Sequence, residues 1–263
     1  MGLNSNNYHA ETAYPACHAM RSIAGRLPHP FLRSWRASVQ YSWFRRPILL
    51  TFFLALILTG CNPPGKITID PFRATTVAEA LAQSNTIQNL DLYYRHLPRF
   101  PMDILVLKNL QQLNLRTCTL GRLPDEIAAL SQLTRLDLGQ TGLTNLPPVI
   151  GQLANLTHLW LNDNPLPALP REIANLSHLT YLNADRTFLT QLPQELGLLP
   201  NLKWLRLNNN RLTALPQDMS GLAKNLKVLY LIGNPISAQE QKRIRDSLPG
   251  CHVIFNAGQA EKN

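Results

Sequence analysis

The stretch that decides the fold reads LWLNDNPLPALPREIANLSHLTY (159–181) followed by LNADRTFLTQLPQELGLLPNLKW (182–204). Both segments are 23 residues long, and both carry leucine and proline at matching positions. Working outward, the first leucine of the segment recurs every 23 residues from Leu90 to Leu205, and once more, after one extra residue, at Leu229. Internal repetition at a short fixed period predicts a solenoid of stacked units, each too small to bury its apolar side chains alone.

Three further columns of residues keep the same register. A second leucine lies two residues after the first, and this spacing predicts a short strand that turns both leucines inward. A proline forces the residue before it into an extended conformation and then begins a convex turn or 3-10 segment. The columns are Leu92, Leu115, Leu138, Leu161, Ala184, Leu207 and Leu231; Pro101, Pro124, Pro147, Pro170, Pro193 and Pro216; and Ile104, Ile127, Ile150, Ile173, Leu196 and Met219.

The consensus LxxLxLxxNxLxxLPxxIxxLxx resembles the leucine-rich-repeat family, in particular its 23-residue LPxxI type. The resemblance implies seven repeats over 87–236 in an α/β leucine-rich-repeat solenoid. Such a solenoid has a curved parallel sheet on its concave side, short 3-10 or helical turns on its convex side, and a cap at each end. In this family an Asn side chain bonds the turn between units, and Cys or Thr can replace it. That column reads Arg95, Cys118, Thr141, Asn164, Thr187, Asn210 and Asn234.

Both ends of the array carry signals for caps. We assign 74–86 to an N-terminal cap, because Thr76 and Glu79 have capping-box spacing and open a helix that reaches Ala82. We assign 237–263 to a C-terminal cap and tail, with a helix over 237–248 and a strand over 253–255. The extra residue near Lys224 is expected on a rim loop.

Residues 45–61 read RRPILLTFFLALILTGC, which is two cations, a short apolar stretch, two small residues and a cysteine. That order is typical of a signal peptide, so 1–60 is predicted to be a leader. The apolar stretch is shorter than the roughly 20 residues that span a bilayer. Residues 1–38 are unusually long and polar for a leader, and the true start is expected at Met20 or Val39.

The segment 58–61, LTGC, is similar to the lipobox of bacterial lipoproteins. The resemblance implies that Cys61 is lipidated and becomes the N-terminus, with 61–73 as the lipidated residue and its tether. In that family Asp after the cysteine favours the inner membrane, so Asn62 favours the outer membrane. The alternative is an uncleaved membrane anchor in which Cys61 is incidental.

The chain has a formal charge of +9, but its location weakens the case for a nucleic-acid partner. Six Arg and one Glu precede Cys61, which leaves 19 Lys and Arg against 15 Asp and Glu, a net of +4, from there onward. No basic run interleaved with aromatic residues follows, so we expect no nucleic-acid binding. Cys118 and Cys251 lie near opposite ends of the array, too far apart for a disulfide, and are expected to be buried free thiols.

With the leucines turned inward, the residues beside them form the concave face. Aromatic residues and arginine gather there over units four to seven, and these types are enriched at binding hot spots. We predict one diagonal aromatic cluster of Trp160, Tyr181, Trp204 and Tyr230, bordered by polar neighbours. The predicted partner-binding residues are His158, Trp160, Tyr181, Asn183, Trp204, Arg206 and Tyr230.

The sequence offers little for catalysis. His158 has Asp137 and Asp163 nearby, but no adjacent Ser or Cys that it could activate. Neither paired metal-ligand spacing nor a glycine-rich phosphate loop occurs, so no enzyme activity, metal or cofactor is expected.

The sequence thus predicts a monomeric, lipid-anchored, non-enzymatic binding module of the bacterial cell envelope, with an unidentified protein partner. Two alternatives stay open. One is a host-directed leucine-rich-repeat effector, although too little chain follows the repeats for an added ligase domain. The other is a lipoprotein that binds cell-wall glycan through the same aromatic residues.

Overall fold

The computed structural model describes residues 72–95 and 97–260, with the side chains of 259 and 260 left out. The predicted leader, the lipidated Cys61 and nearly all of the tether lie outside the described residues.

A single sheet of nine parallel strands runs through the array, and the strands neighbour one another in chain order. Parallel neighbours need a crossover between them, and here each repeat supplies one on the far side of the unit. The strands are β1 Arg73–Ala74, β2 Asn89–Asp91, β3 Gln112–Asn114, β4 Arg135–Asp137, β5 His158–Trp160, β6 Tyr181–Asn183, β7 Trp204–Arg206, β8 Val228–Tyr230 and β9 His252–Ile254.

The register aligns equivalent residues of successive units. Leu90 pairs with Leu113, and the same column continues through Leu205 and Leu229 to Val253 in the last strand. Leucines of both columns are almost fully buried, whereas the residues on either side of each strand leucine keep part of their surface exposed. Full burial of one such side chain contributes about 2 kcal/mol, so the stacked leucines are the main source of stability. The predicted solenoid with seven repeat strands is confirmed.

Short 3-10 helices form the convex side of the first five repeats, as the proline column predicts. Each begins directly after its proline, whose extended backbone (φ between −62° and −78°) suits the entry to a helix. They are η1 Met102–Val106, η2 Asp125–Ala129, η3 Pro148–Gln152, η4 Arg171–Asn175 and η5 Gln194–Leu198. In the sixth repeat a one-turn helix, α2 Leu222–Asn225, replaces the 3-10 segment and contains Lys224. The predicted rim loop is therefore wrong, because the extra residue is taken up as a turn of helix.

Helical caps close both ends, and each adds one strand to the sheet. Helix α1 (Val77–Ala82) begins after Thr76, whose hydroxyl accepts the Glu79 N–H at 3.1 Å, as its spacing predicts. Helix α3 (Ala238–Ser247) begins after Ser237 in the same way and leads into β9. Helix α4 (Ala257–Ala260) follows β9. None of the helices in 72–95 and 97–260 is long and apolar enough to cross a membrane.

Asparagine side chains tie neighbouring repeats together from inside the turns. The amide of Asn164 donates to the carbonyls of Leu138, at 2.7 Å, and Leu161, at 2.8 Å. Its Oδ1 accepts the N–H groups of Thr141 and Leu143, both at 3.0 Å. Asn164 therefore bonds the preceding repeat as well as its own, and Asn210 repeats the arrangement one pair of units later.

Asn234 also bonds both its own and the preceding repeat, whereas Thr141 and Cys118 of the same column behave differently from one another. The Thr141 hydroxyl donates to Leu138 within its own repeat, and Asn164 of the next unit makes the bridge. Cys118 reaches back to the carbonyl of Leu92, with its Sγ at 3.3 Å. Cysteine thus substitutes for asparagine as a bridge, whereas threonine here relies on an asparagine in the following unit.

Candidate binding face

The concave face consists of the outward side chains of the nine strands and the turn residues that follow them. Each of the seven repeat strands, β2 to β8, has the pattern exposed or half-buried, buried, half-buried, with the leucine in the middle. Parallel strands lie about 4.8 Å apart, so outward residues in register are direct neighbours. The seven predicted partner-binding residues lie on this face. The residue before each strand leucine belongs to the first outward column, which includes His158, Tyr181 and Trp204. The residue after it belongs to the second outward column, which includes Trp160, Asn183, Arg206 and Tyr230.

Three aromatic rings form a continuous stack across β5 and β6. The ring centroid of His158 lies 5.6 Å from that of Trp160 and 5.9 Å from that of Tyr181, with interplanar angles near 20°. Trp160 and Tyr181 are 5.3 Å apart and tilted. Offset contacts of this kind stabilise rings beyond the area they bury. The three side chains are therefore held in place before any partner arrives.

A fixed arginine lies beside the stack, on β7. Arg206 forms an ion pair with Asp185, at 2.8 Å, whose side chain is only 5% exposed. The same guanidinium lies over the ring of Tyr230, 4.9 Å from its centroid. Asn183 supports this region from below, since its Oδ1 accepts the N–H of Asp185 at 3.0 Å. Arg206 thus offers a partner a charged group whose orientation is already set.

The prediction of one diagonal aromatic cluster is correct only in part. Trp160 and Tyr181 are in contact, but His158, expected at the border, is a full member of the stack. Trp204 is 41% exposed and makes no ring contact within the part of the chain that the structure describes. Tyr230 contacts Arg206 instead of a second aromatic ring.

Burial sets the protonation of the face. It lowers the pKa of His158, and the charge of Arg135 lowers it further, so His158 is neutral at physiological pH. Burial also raises the pKa of the Tyr181 phenol. A neutral, stacked surface can bind apolar and hydrogen-bonding groups without first losing a shell of tightly held water.

Outside this face, the described residues provide few reactive groups. Cys118 and Cys251 are free thiols, as predicted; Cys118 is buried and Cys251 partly so. Burial raises the pKa of both, that of Cys251 to about 12. No group of three or more His, Cys, Asp or Glu side chains in 72–95 and 97–260 could hold a metal ion.

Sequence reasoning missed a recess on the N-terminal half of the same face. It has a volume of about 380 Å³ and is lined by outward residues of β1 to β5, including Arg135, Asp137 and Trp160. Arg135 and Asp137 lie on either side of the strand leucine Leu136, so the repeat register places both on the concave face, but neither is an aromatic residue of the kind enriched at hot spots. An unusual signal was available, because Gly139 follows them where other units carry a side chain.

Comparisons with known proteins agree with this architecture. Residues 177–236 and 155–176 match models of the leucine-rich repeat. No curated protein sequence matches the chain. Among solved structures, a leucine-rich-repeat protein of Leptospira interrogans is 31% identical, with a TM-score of 0.60 over 69% of this chain and 57% of the other.

Two further structures extend the comparison. An internalin (InlF) of Listeria monocytogenes is 19% identical, with a TM-score of 0.57 over 70% of this chain and 58% of the other, and its likeness concerns the fold alone. A plant peptide hormone receptor, RGFR1, solved in complex with RGF2, is 27% identical, with a TM-score of 0.56 over 65% of this chain and 32% of the receptor. The chain thus spans less than two thirds of each of these proteins. It has the leucine-rich-repeat fold, and its units from residue 155 to residue 236 match that family directly.

Proposed function

We propose that this chain is a non-enzymatic binding module that recognises a protein partner through its concave face. The observation that carries the proposal is the stack of His158, Trp160 and Tyr181, with Arg206 fixed beside it. Leucines already fill the interior, so these large side chains are not needed for the core.

Preorganisation strengthens this argument. Binding loses free energy when mobile side chains must be ordered, about 0.5–1.5 kcal/mol for each one that is immobilised. Here Trp160 and Tyr181 hold one another, and Asp185 and Tyr230 hold Arg206. Tryptophan, tyrosine and arginine are also the residue types that dominate interface energies. The RGFR1 structure shows a protein of the same fold bound to another molecule.

The test is affinity capture from an envelope extract with the full chain and two variants. Trp160→Ala with Trp204→Ala removes two rings from the concave face, and we expect captured partners to fall about thirtyfold or more, the equivalent of one hot-spot residue of about 2 kcal/mol. Phe188→Ala is the matched control, since Phe188 is an aromatic residue of a turn, outside the strands, and is 50% exposed. Equal capture by the double variant and the wild type would exclude the concave face as the binding surface.

We further propose that Cys61 is lipidated and anchors the module in a bacterial envelope, with Asn62 directing it to the outer membrane. The support is the order of cations, apolar residues and LTGC in 45–61. Labelling with radioactive palmitate tests the anchor. The wild type should take up label and Cys61→Ala should not, whereas an unlabelled wild type would contradict lipidation. Membrane fractionation of the labelled protein tests the location.

A further inference from the structure

The recess on the N-terminal half of the concave face contains an unusual carboxylate. Two acidic side chains of the second column line it, Asp91 and Asp137. Asp91 is fully engaged, since Arg73 lies 2.6 Å away in an ion pair and the Asn114 amide donates to it at 3.0 Å. For Asp137 the one hydrogen bond in the described part of the chain comes from the Gly139 N–H, at 2.8 Å.

No cation forms an ion pair with Asp137 among the residues described. Arg116 acts on it through its charge, but this guanidinium bonds to Asn162, at 3.4 Å, and lies 4.0 Å from Asp163. Gly139 keeps the carboxylate open. A Cβ at this position would lie 3.1 Å from the Asp137 Oδ1 and 2.7 Å from the Arg116 guanidinium.

The fold does not require a charge at position 137. Asn114 and Asn183 occupy the same place in other repeats, and the Oδ1 of each accepts the N–H two residues ahead at 3.0 Å. A neutral amide therefore closes this turn as well as a carboxylate does. Burial raises the pKa of Asp137, which means that the charged form is disfavoured where it lies. A carboxylate that is destabilised by burial and that the turn does not require is typical of a functional site.

An aromatic face lies directly beside that carboxylate. Trp160 is the register partner of Asp137 on the neighbouring strand, and His158 and Tyr181 fix its ring. A carboxylate next to an indole suits a cationic group, which gains from the charge and from the π-face together. Arg135, exposed and unpaired within the described residues, lines the same recess and disfavours a partner with several cations in a row.

We propose that this recess binds a single Lys or Arg side chain of the partner, with its charged end at Asp137 and against Trp160. The proposal rests on the proposed function and specifies the chemistry of the partner. Flanking residues of the partner should be neutral or acidic, because Arg135 repels further positive charge.

The probe is the peptide Ac-Gly-Gly-Arg-Gly-Gly-NH2, titrated into the full chain in a mild non-ionic detergent. Binding is followed by the NMR signal of the Trp160 indole N–H, which Trp160→Phe assigns. We expect saturable shifts with this peptide and none with its glutamine counterpart. Asp137→Asn, which keeps the bond to Gly139, should weaken binding about tenfold, the equivalent of one charge-assisted contact.

Asp103→Asn is the matched control, since it removes an exposed carboxylate from η1 on the convex side and should leave binding unchanged. Thermal unfolding should show Asp137→Asn at least as stable as the wild type. Equal binding by Asp137→Asn and wild type, or equal binding of the two peptides, would overturn the proposal. So would saturation of the Trp160 signal by a neutral cell-wall oligosaccharide and not by the arginine peptide.

The capture experiment separates the two levels of failure. If the double tryptophan variant loses its partner while the arginine peptide does not bind the wild type, the concave face is still the binding surface, but the proposal that the recess binds a Lys or Arg side chain is wrong. If the double variant keeps its partner, the proposed function itself fails.

Discussion

Replacing Asn164 with alanine should destabilise the array more than any surface change, because one buried amide serves four backbone groups. Asn164 is 1% exposed. It accepts the N–H groups of Thr141 and Leu143 and donates to the carbonyls of Leu138 and Leu161. Three of these residues, Thr141, Leu143 and Leu138, precede it by about one repeat, so the loss affects the junction between units three and four.

The structure sets the magnitude. In Asn164→Ala the two N–H groups and the carbonyl of Leu161 lose the side-chain partner that the structure gives them, while Leu138 keeps the Thr141 hydroxyl at 2.7 Å. Each unsatisfied buried group costs about 1–3 kcal/mol. Three groups, at the lower end of that range because water can enter the vacated space, give about 3 kcal/mol. Native domains are stable by about 5–15 kcal/mol, so the loss is a large share of the total.

Urea unfolding followed by circular dichroism measures this difference, with Thr141→Val as the comparison. Valine has the shape of threonine and removes one hydroxyl, yet Asn164 still bonds both repeats. We expect a loss of about 1 kcal/mol for Thr141→Val. Asn210→Ala, in an equivalent setting, should repeat the larger loss of Asn164→Ala. If Asn164→Ala costs no more than Thr141→Val, the asparagine bridge does not couple the repeats.

Two further predictions concern the titrating groups. Because burial raises the pKa of Cys251 to about 12, only about one in 10⁴ of its side chains is a thiolate at pH 8. In a variant with the other cysteines replaced by serine, Ellman's reagent should therefore label Cys251 at least about 100 times more slowly in the folded chain than in the unfolded chain. Similar labelling rates in the two states would contradict the burial of this thiol. Because the fold lowers the pKa of His158, below about pH 6.5 the unfolded chain gains a proton that the folded chain resists, and the free energy of unfolding falls from pH 7 to pH 5. His158→Phe should reduce that decrease in urea titrations at the two pH values, and an unchanged decrease would count against the shift.

The repeat made the fold predictable, since a 23-residue period with paired leucines leaves few other ways to bury them. The backbone conformation of the turns was harder to predict from the sequence. Tyr94, Thr117, Gln140, Asp163, Arg186 and Asn209 all have φ between 53° and 64° at one shared position of successive repeats, a region that such residues rarely adopt. Local preference does not indicate this conformation, and Gly233 is the one glycine at the equivalent position. The stacking of neighbouring units imposes it.

The candidate site was predictable to the extent that register determines neighbours. Aligned units place Trp160 near Tyr181, and the sequence alone provides that alignment. Which charges pair was not predictable, because that depends on how long side chains bend across several strands. Arg206 pairs with Asp185 of the preceding repeat, and Arg73 pairs with Asp91 of the next strand. No arginine of the described residues pairs with Asp137, because Arg116 bonds to Asn162 and lies near Asp163 instead. The recess therefore emerged only from the structure.

The second outward column also shows where binding residues replace structural ones. In the first, second, third and fifth repeats this position carries Asn or Asp, and its side chain accepts the N–H two residues ahead. Arg206 and Tyr230 cannot do so, and in their repeats the preceding unit supplies the acceptor: Asp185 for the N–H of Asn208, at 2.7 Å, and Asn208 for that of Ile232, at 2.9 Å. A large side chain at this position thus requires compensation one repeat away. The preceding unit cannot compensate Trp160 in this way, because Gly139 has no side chain. Within the part of the chain that the structure describes, the N–H of Asn162 therefore lacks the side-chain acceptor that other repeats provide at this point, where the aromatic stack meets the carboxylate of Asp137. Stability alone does not explain a tryptophan at position 160 beside a glycine at position 139.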